Sequence, residues 1–136
     1  MASAAVPPVN QTHNLMADVF KLISLNIFQK RRTVFTWCRK RKADIIFLQE
    51  THSTLNTDVQ WKNEWGAEII TCHGSSNARG VAVLIRNVFD CTIRQQILDP
   101  LRRYIIFKAD IKDKTYLLIN IYAPNKDKDL LTFLIN

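Results

Sequence analysis

The sequence predicts an α/β protein in layers, built on a mixed, mostly antiparallel sheet with flanking helices. Three observations lead there. An amphipathic helical stretch lies between two short β-branched runs near the start; the second of those runs is apolar on consecutive positions; and strands from residue 67 onward recur about ten residues apart, bounded by turn residues.

Taken in order, residues 1–18 mix Pro, Ser, Asn, Gln and Ala without periodicity and read as a disordered leader, which leaves 19–136 for the folded part. Residues 20–26 read as a strand and 30–42 as a helix. That helix places Val34, Trp37, Cys38 and Arg41 at helical spacing on one side and carries seven basic residues in thirteen. A second strand, 44–49, follows directly, and its run Ile45-Ile46-Phe47-Leu48 demands burial on both faces. Residues 57–65 read as a short helix. Strands are then expected at 67–72, 80–86, 91–98, 102–111 and 115–122, with links short enough to favour antiparallel neighbours and to confine parallel pairing to the first strands. The last feature, 127–135, reads as a helix with Asp127 and Asp129 in its first turn, where negative charge suits the helix dipole.

Composition narrows the partners. Nineteen Lys and Arg against twelve Asp and Glu give a formal net charge of +7, which puts polyanions first among partner classes, nucleic acid ahead of small acids. Cys38, Cys72 and Cys91 are odd in number and form no Cys-x-x-Cys pair, so neither a disulfide framework nor a zinc ribbon is expected, and a reducing, intracellular compartment is the default. No apolar run approaches the roughly 20 residues of a membrane span, so no membrane partner is expected. His13, His52 and His73 lack metal-ligand spacing.

Several apolar runs end abruptly in a residue able to bind metal or phosphate. Leu25 gives way to Asn26, Leu48 to Gln49 and Glu50, and Ile121 to Tyr122 with Asn125 close behind. Ligands of open α/β sheets bind beyond the carboxyl ends of strands, so neighbouring strands with these tips would form one site. Glu50, one of only three glutamates, follows a wholly apolar strand, and a hard carboxylate there suits magnesium. A carboxylate at a strand end is also commonly just solvated. Asn26 and Asn125 can donate amide hydrogen bonds to a phosphate or simply occupy turns, and Tyr122 can place its hydroxyl on a phosphate oxygen or pack half-buried. The basic helix can follow a phosphate backbone, although a solvated outer face is the commoner explanation.

Four strings are more specific together than any one of these. Lys21-Leu22-Ile23-Ser24-Leu25-Asn26, Asp44-Ile45-Ile46-Phe47-Leu48-Gln49-Glu50-Thr51-His52, Arg79-Gly80-Val81-Ala82-Val83-Leu84-Ile85 and Asn120-Ile121-Tyr122-Ala123-Pro124-Asn125 occur in the order seen in the endonuclease/exonuclease/phosphatase superfamily. From Phe20 onward the chain most resembles the apurinic-type endonuclease domain of non-LTR retrotransposons, whose cut primes reverse transcription at the target DNA. The resemblance implies the first half of a four-layer, DNase I-like α/β sandwich. It further implies Mg2+-dependent (or Mn2+-dependent) phosphodiester hydrolysis of DNA, with Glu50 as the metal ligand, Asn26 supporting the metal and phosphate, and Tyr122 and Asn125 on the scissile phosphate. A DNA substrate suggests the nucleus, for which Arg39-Lys40-Arg41-Lys42, inside an expected helix, is only a weak address.

Two departures bear on this. Ile27-Phe28-Gln29 replaces a longer, glycine-containing loop after Asn26, which is expected to displace that residue. The family's Gly-Asp-Phe-Asn and Ser-Asp-His motifs do not occur in the 136 residues, so the expectation is a domain truncated before its second half and inactive alone. Each half of the family sandwich is taken to supply one sheet, so this chain is expected to expose a sheet face and to self-associate through it. The alternatives are a non-catalytic DNA-binding remnant and a phosphatase of the same fold.

Overall fold

The computed structural model describes residues 20–27, 30–75 and 78–122. The expected leader, the helix at 127–135 and Asn125 lie outside these residues. Within them, the first strand β1 (Leu22–Asn26) leads through helix α1 (Arg31–Lys40) to β2 (Ile45–Gln49), which pairs parallel to β1. A short 3-10 turn (Leu55–Thr57) and helix α2 (Asp58–Trp65) follow, then β3 (Ile69–Cys72) and β4 (Val81–Ile85). These four strands form one mixed sheet in the order β1-β2-β4-β3, with β4 antiparallel to both neighbours. The last three strands, β5 (Cys91–Leu98), β6 (Tyr104–Ile111) and β7 (Lys114–Ile121), form a separate antiparallel sheet in sequence order.

The two sheets pack face to face. Ile45 and Phe47 of β2, Val81, Val83 and Ile85 of β4, and Ile70 of β3 meet Ile105, Phe107, Ala109 and Ile111 of β6 and Leu118 of β7. At the centre the Phe47 and Phe107 rings lie 6.2 Å apart, edge to face. This corrects the expectation of one sheet per half: the chain supplies strands to both sheets, and the face expected to be bare is closed by its own second sheet. The pattern of β5 to β7 announced half-exposed strands but could not say what their buried side would meet.

The opposite face of the first sheet is covered by the helices. Ile46, Leu48, Ala82 and Leu84 pack against Phe35 and Cys38 of α1 and Trp61 and Trp65 of α2. Phe35 lies 5.6 Å from Trp61 and 5.4 Å from Trp65. The Trp65 indole N–H donates to the Ile85 carbonyl at 3.0 Å, so the large ring satisfies its one polar atom while buried. The helices are tied together by charge: Arg31 holds Glu64 through two bonds of 3.0 and 2.8 Å, and Arg39 donates to the terminal carbonyls of Glu64 and Trp65 at the end of α2. Gly66, at φ 76°, then closes α2 in the left-handed conformation that favours glycine.

Trp37 is a second correction. Its spacing suggested the apolar side of the helix, yet Phe35 and Cys38 face the sheet and Trp37 stands outside, 38% exposed. All three cysteines are free thiols. Burial raises the Cys38 thiol to about 11 and likewise that of Cys91, which leaves both protonated at neutral pH. No helix among the described residues is long and apolar enough to cross a membrane.

Candidate functional site

The strand tips singled out in the sequence lie at one end of the sandwich, those of β1 and β2 side by side in one sheet and that of β7 in the other. Asn26 pairs with Gln49 in the parallel register, so Glu50 stands one residue beyond it on the adjoining strand. The short loop after Asn26 does not break this: the Ile27 N–H donates to the Gln49 carbonyl at 3.1 Å and Ile27 is buried. From the second sheet, Asn120 of β7 reaches the same end. Its amide donates to the carbonyls of Leu48 (3.1 Å) and Ala82 (2.8 Å), and its oxygen accepts from the Gln49 side chain at 2.8 Å. Gln49 also donates to the Ser24 hydroxyl at 3.0 Å. Strands β1, β2, β4 and β7 are thereby locked together immediately beneath Glu50.

Glu50 is the outstanding side chain here. It is only 9% exposed, and among the described residues its carboxylate has no hydrogen-bond or ion-pair partner. A largely buried glutamate without a counter-charge among the described residues is uncommon, because buried charges are ordinarily paired. Its backbone lies at φ 51°, as does that of His52, so the chain turns sharply on leaving β2. The turn is held against the neighbouring loop: Thr51 N–H donates to the Gly80 carbonyl (3.1 Å) and His52 N–H to that of Arg79 (3.0 Å). Gly80 sits at φ 94°, and a Cβ there would collide with the Thr51 hydroxyl.

A polar relay braces the loop from below. The Thr51 and Ser53 hydroxyls are 2.9 Å apart, Ser53 Oγ lies 2.8 Å from His73 Nδ1, and His73 Nε2 lies 2.7 Å from Asp58 Oδ1. Lys62 and Thr71 also bond Asp58, at 2.8 and 3.0 Å. The Lys62 hydrogen bond, helped by His73 and Thr71 against the opposing effect of burial, brings the Asp58 carboxyl down to about 2. Ser53 is buried, so the trio is a structural brace and not an exposed nucleophile.

The far rim is the 99–103 loop. Asp99, 2% exposed, accepts from Arg103 Nε (2.6 Å) and from the backbone N–H groups of Leu101 and Arg103. Burial alone would raise its pKa; these donors instead hold it below the usual carboxylate range. Arg79 spans to this loop through the Leu101 carbonyl at 3.1 Å, and Tyr122 N–H donates to the Arg103 carbonyl at 2.6 Å. Tyr122 is half-buried against the inter-sheet core.

The structure thus brings Asn26, Glu50 and Tyr122 to one end of the sandwich. Sequence reading overlooked Asn120, although a lone amide in the apolar run Leu117-Leu118-Ile119-Asn120-Ile121 was a usable signal. It also overlooked Asp58 with Ser53 and His73, which no spacing rule links. Among the described residues no group of three or more His, Cys, Asp and Glu is placed to hold a metal by itself. One or two carboxylates and retained waters suffice for magnesium, so Glu50 fits such an ion as one anchor. The nearby Asp58 is already committed to Lys62 and His73.

Known proteins resemble the chain in sequence or in fold. The pattern of the Endonuclease/Exonuclease/phosphatase family matches residues 23–130. The transposon TX1 uncharacterized 149 kDa protein of Xenopus laevis is 26% identical over 100 residues, which are 74% of this chain and 8% of that protein. The AP endonuclease LMAP of Leishmania major superposes with a TM-score of 0.62 at 14% identity, covering 98% of this chain and 49% of its own. The endonuclease domain of TRAS1, a telomere-specific non-LTR retrotransposon, gives 0.58 at 13% identity, covering 85% and 51%. The chain therefore spans about half of each of these structures, and at such identities they establish the fold, a DNase I-like α/β sandwich, alone. With the family pattern running from β1 past β7, the chain belongs to the endonuclease/exonuclease/phosphatase family.

Proposed function

We propose that the Glu50 end of the sandwich is the cation-holding part of a phosphodiester hydrolase site acting on DNA, with Mg2+ as the ion and Mn2+ able to replace it. The observation that carries this reading is the Glu50 carboxylate, nearly buried and without a partner among the described residues. A largely buried glutamate with no counter-charge among the described residues is placed to anchor a cation, and the Asn120–Gln49 lock fixes its strand tip. When bound, the ion offsets negative charge on the phosphate oxygens.

The chain's own residues have separate tasks in this reading. Glu50 anchors the ion, Asn26 on the adjoining strand directs its amide to the ion or phosphate, and Tyr122 steadies the phosphate from the other sheet, a task the family resemblance gives to Asn125 as well. Arg79 and Arg102 line the rim with positive charge for the DNA backbone. Among the described residues, His73 is committed to Ser53 and Asp58 and is not assigned as the general base. In this reading the described residues bind the ion and DNA, and none of them is assigned as the general base. The transposon relative and the retrotransposon endonuclease fold support DNA as the substrate class.

Manganese bound to the purified chain, read by electron paramagnetic resonance, tests the reading. One bound ion that is lost in Glu50→Gln is expected, with no nicking of supercoiled DNA by the wild-type chain. Retention of the ion in Glu50→Gln would sink the metal assignment. Nicking that disappears in the variant would show that the chain carries a complete site.

A further inference from the structure

Helix α1 carries a second feature, remote from the hydrolase reading. Residues 30–42 contain seven cations and no acidic residue. Ordinary solvated helix faces interleave the two signs; this one does not. Glu64 of α2 occupies Arg31 and touches Arg32 at 3.5 Å, but Arg32 remains 85% exposed, and Lys40 and Lys42 have no carboxylate partner among the described residues. Between these charges stands Trp37. It is 38% exposed, whereas Trp61 and Trp65 are 2% and 6% exposed in the core. The Arg41 guanidinium lies 4.6 Å from the centre of the Trp37 ring, so the indole is held out from the helix between a cation and water. A shallow groove beside it is lined by Arg32, Thr33, Thr36, Trp37 and Lys40.

We propose that the outer face of α1 is a docking surface for single-stranded nucleic acid, with Trp37 stacking on a base and Arg32, Lys40 and Lys42 following the phosphates. Charge complementarity selects a polyanion, and the indole selects among polyanions. Only an unpaired strand presents base faces that an exposed aromatic can reach; a duplex keeps them stacked inside, and sulfated sugars and acidic peptides have none. The Arg41–Trp37 pair then forms one side of a stack whose other side is the base. The surface lies on the helix layer, whereas Glu50 stands at the strand tips, so the two proposals fail independently.

The test is a fluorescence titration of the whole 136-residue chain with a deoxythymidine oligomer of about 12 nucleotides, a length suited to a small single-strand site. The expected result is quenching of the Trp37 emission that acrylamide also reaches, with binding that weakens steeply as salt rises. Anisotropy of a labelled oligomer reports affinity in variants: Trp37→Ala is expected to weaken it about tenfold, and Lys40→Glu several-fold while leaving the fold untouched. Binding with no change in Trp37 emission would place the strand elsewhere and overturn the proposal. Equal quenching by heparin or by a duplex of the same length would overturn it too, leaving a polyanion surface without base stacking.

Discussion

Strands β2 and β6 are both interior to their sheets and both rich in Ile and Phe, yet they meet different surroundings. In β2 the residues Ile45 to Leu48 are buried without exception, because helices close one face of its sheet and the second sheet closes the other. In β6 only alternate residues are buried: Ile105, Phe107, Ala109 and Ile111 point into the sandwich, while Lys108 is exposed and Tyr104, Ile106 and Asp110 are partly so. Continuous apolar runs and alternating ones therefore report how many faces of a sheet are covered. They are silent about what does the covering. That silence is why a second sheet inside this chain was not foreseen.

The comparison is broken most severely at the contact between the sheets. Phe107 is 1% exposed and packs on Phe47, so Phe107→Ala is expected to cost ~3–5 kcal/mol, lost ring burial and the cavity adding together. Urea unfolding of the purified chain measures it. A loss under about 1 kcal/mol, the range of a surface substitution, would mean that the sheets are not clamped face to face in solution.

A smaller effect is expected where the sheets are joined by hydrogen bonds. Asn120 is wholly buried and gives or takes three of them, so Asn120→Ala leaves the Gln49 amide and two carbonyls short of a partner and should cost about 2 kcal/mol. The same substitution should weaken Mn2+ binding at Glu50, since Gln49 loses the group that fixes it. An unchanged affinity together with the stability loss would separate the sheet lock from the cation site and confine Asn120 to the fold.

These two positions also show how far the sequence could be read. Phe47 was legible as core because a continuous apolar run is a local pattern, and local patterns survive in any tertiary setting; Phe107 lay in an expected strand without being singled out. Seven strands and the first two helices follow from that, with bounds shifted by one or two residues at most elements. Trp37 was placed on the wrong side because a spacing of three and four describes a stripe without saying which stripe meets the sheet; Phe35, two residues earlier, is the one that does. Glu50 could be singled out from the apolar run before it. Its lack of a partner among the described residues could not, because that depends on how the folded chain spends its charges, as with Lys62 and His73 on Asp58. The brace of Asp58, Ser53 and His73 joins a helix start, a loop and a strand end, and only the folded chain brings those together.

The smallest expected effect concerns the other face of the second sheet. Ile97 and Leu117 stand there 59% and 64% exposed, on the edge strands flanking Ile106 and Lys108. A side chain already in water has little burial to lose, so Leu117→Lys should change stability by no more than about 0.5 kcal/mol. Its neighbour Leu118, one residue on and 1% exposed, is a demanding control, because Leu118→Ala at the inner face should cost ~2–5 kcal/mol in the same urea experiment. Equal losses at the two positions would mean that the outer face is covered in solution as well. The alternation along β7 would then be reporting polarity of sequence and not exposure, and the contrast between the two sheets would collapse into a single rule of double-sided burial.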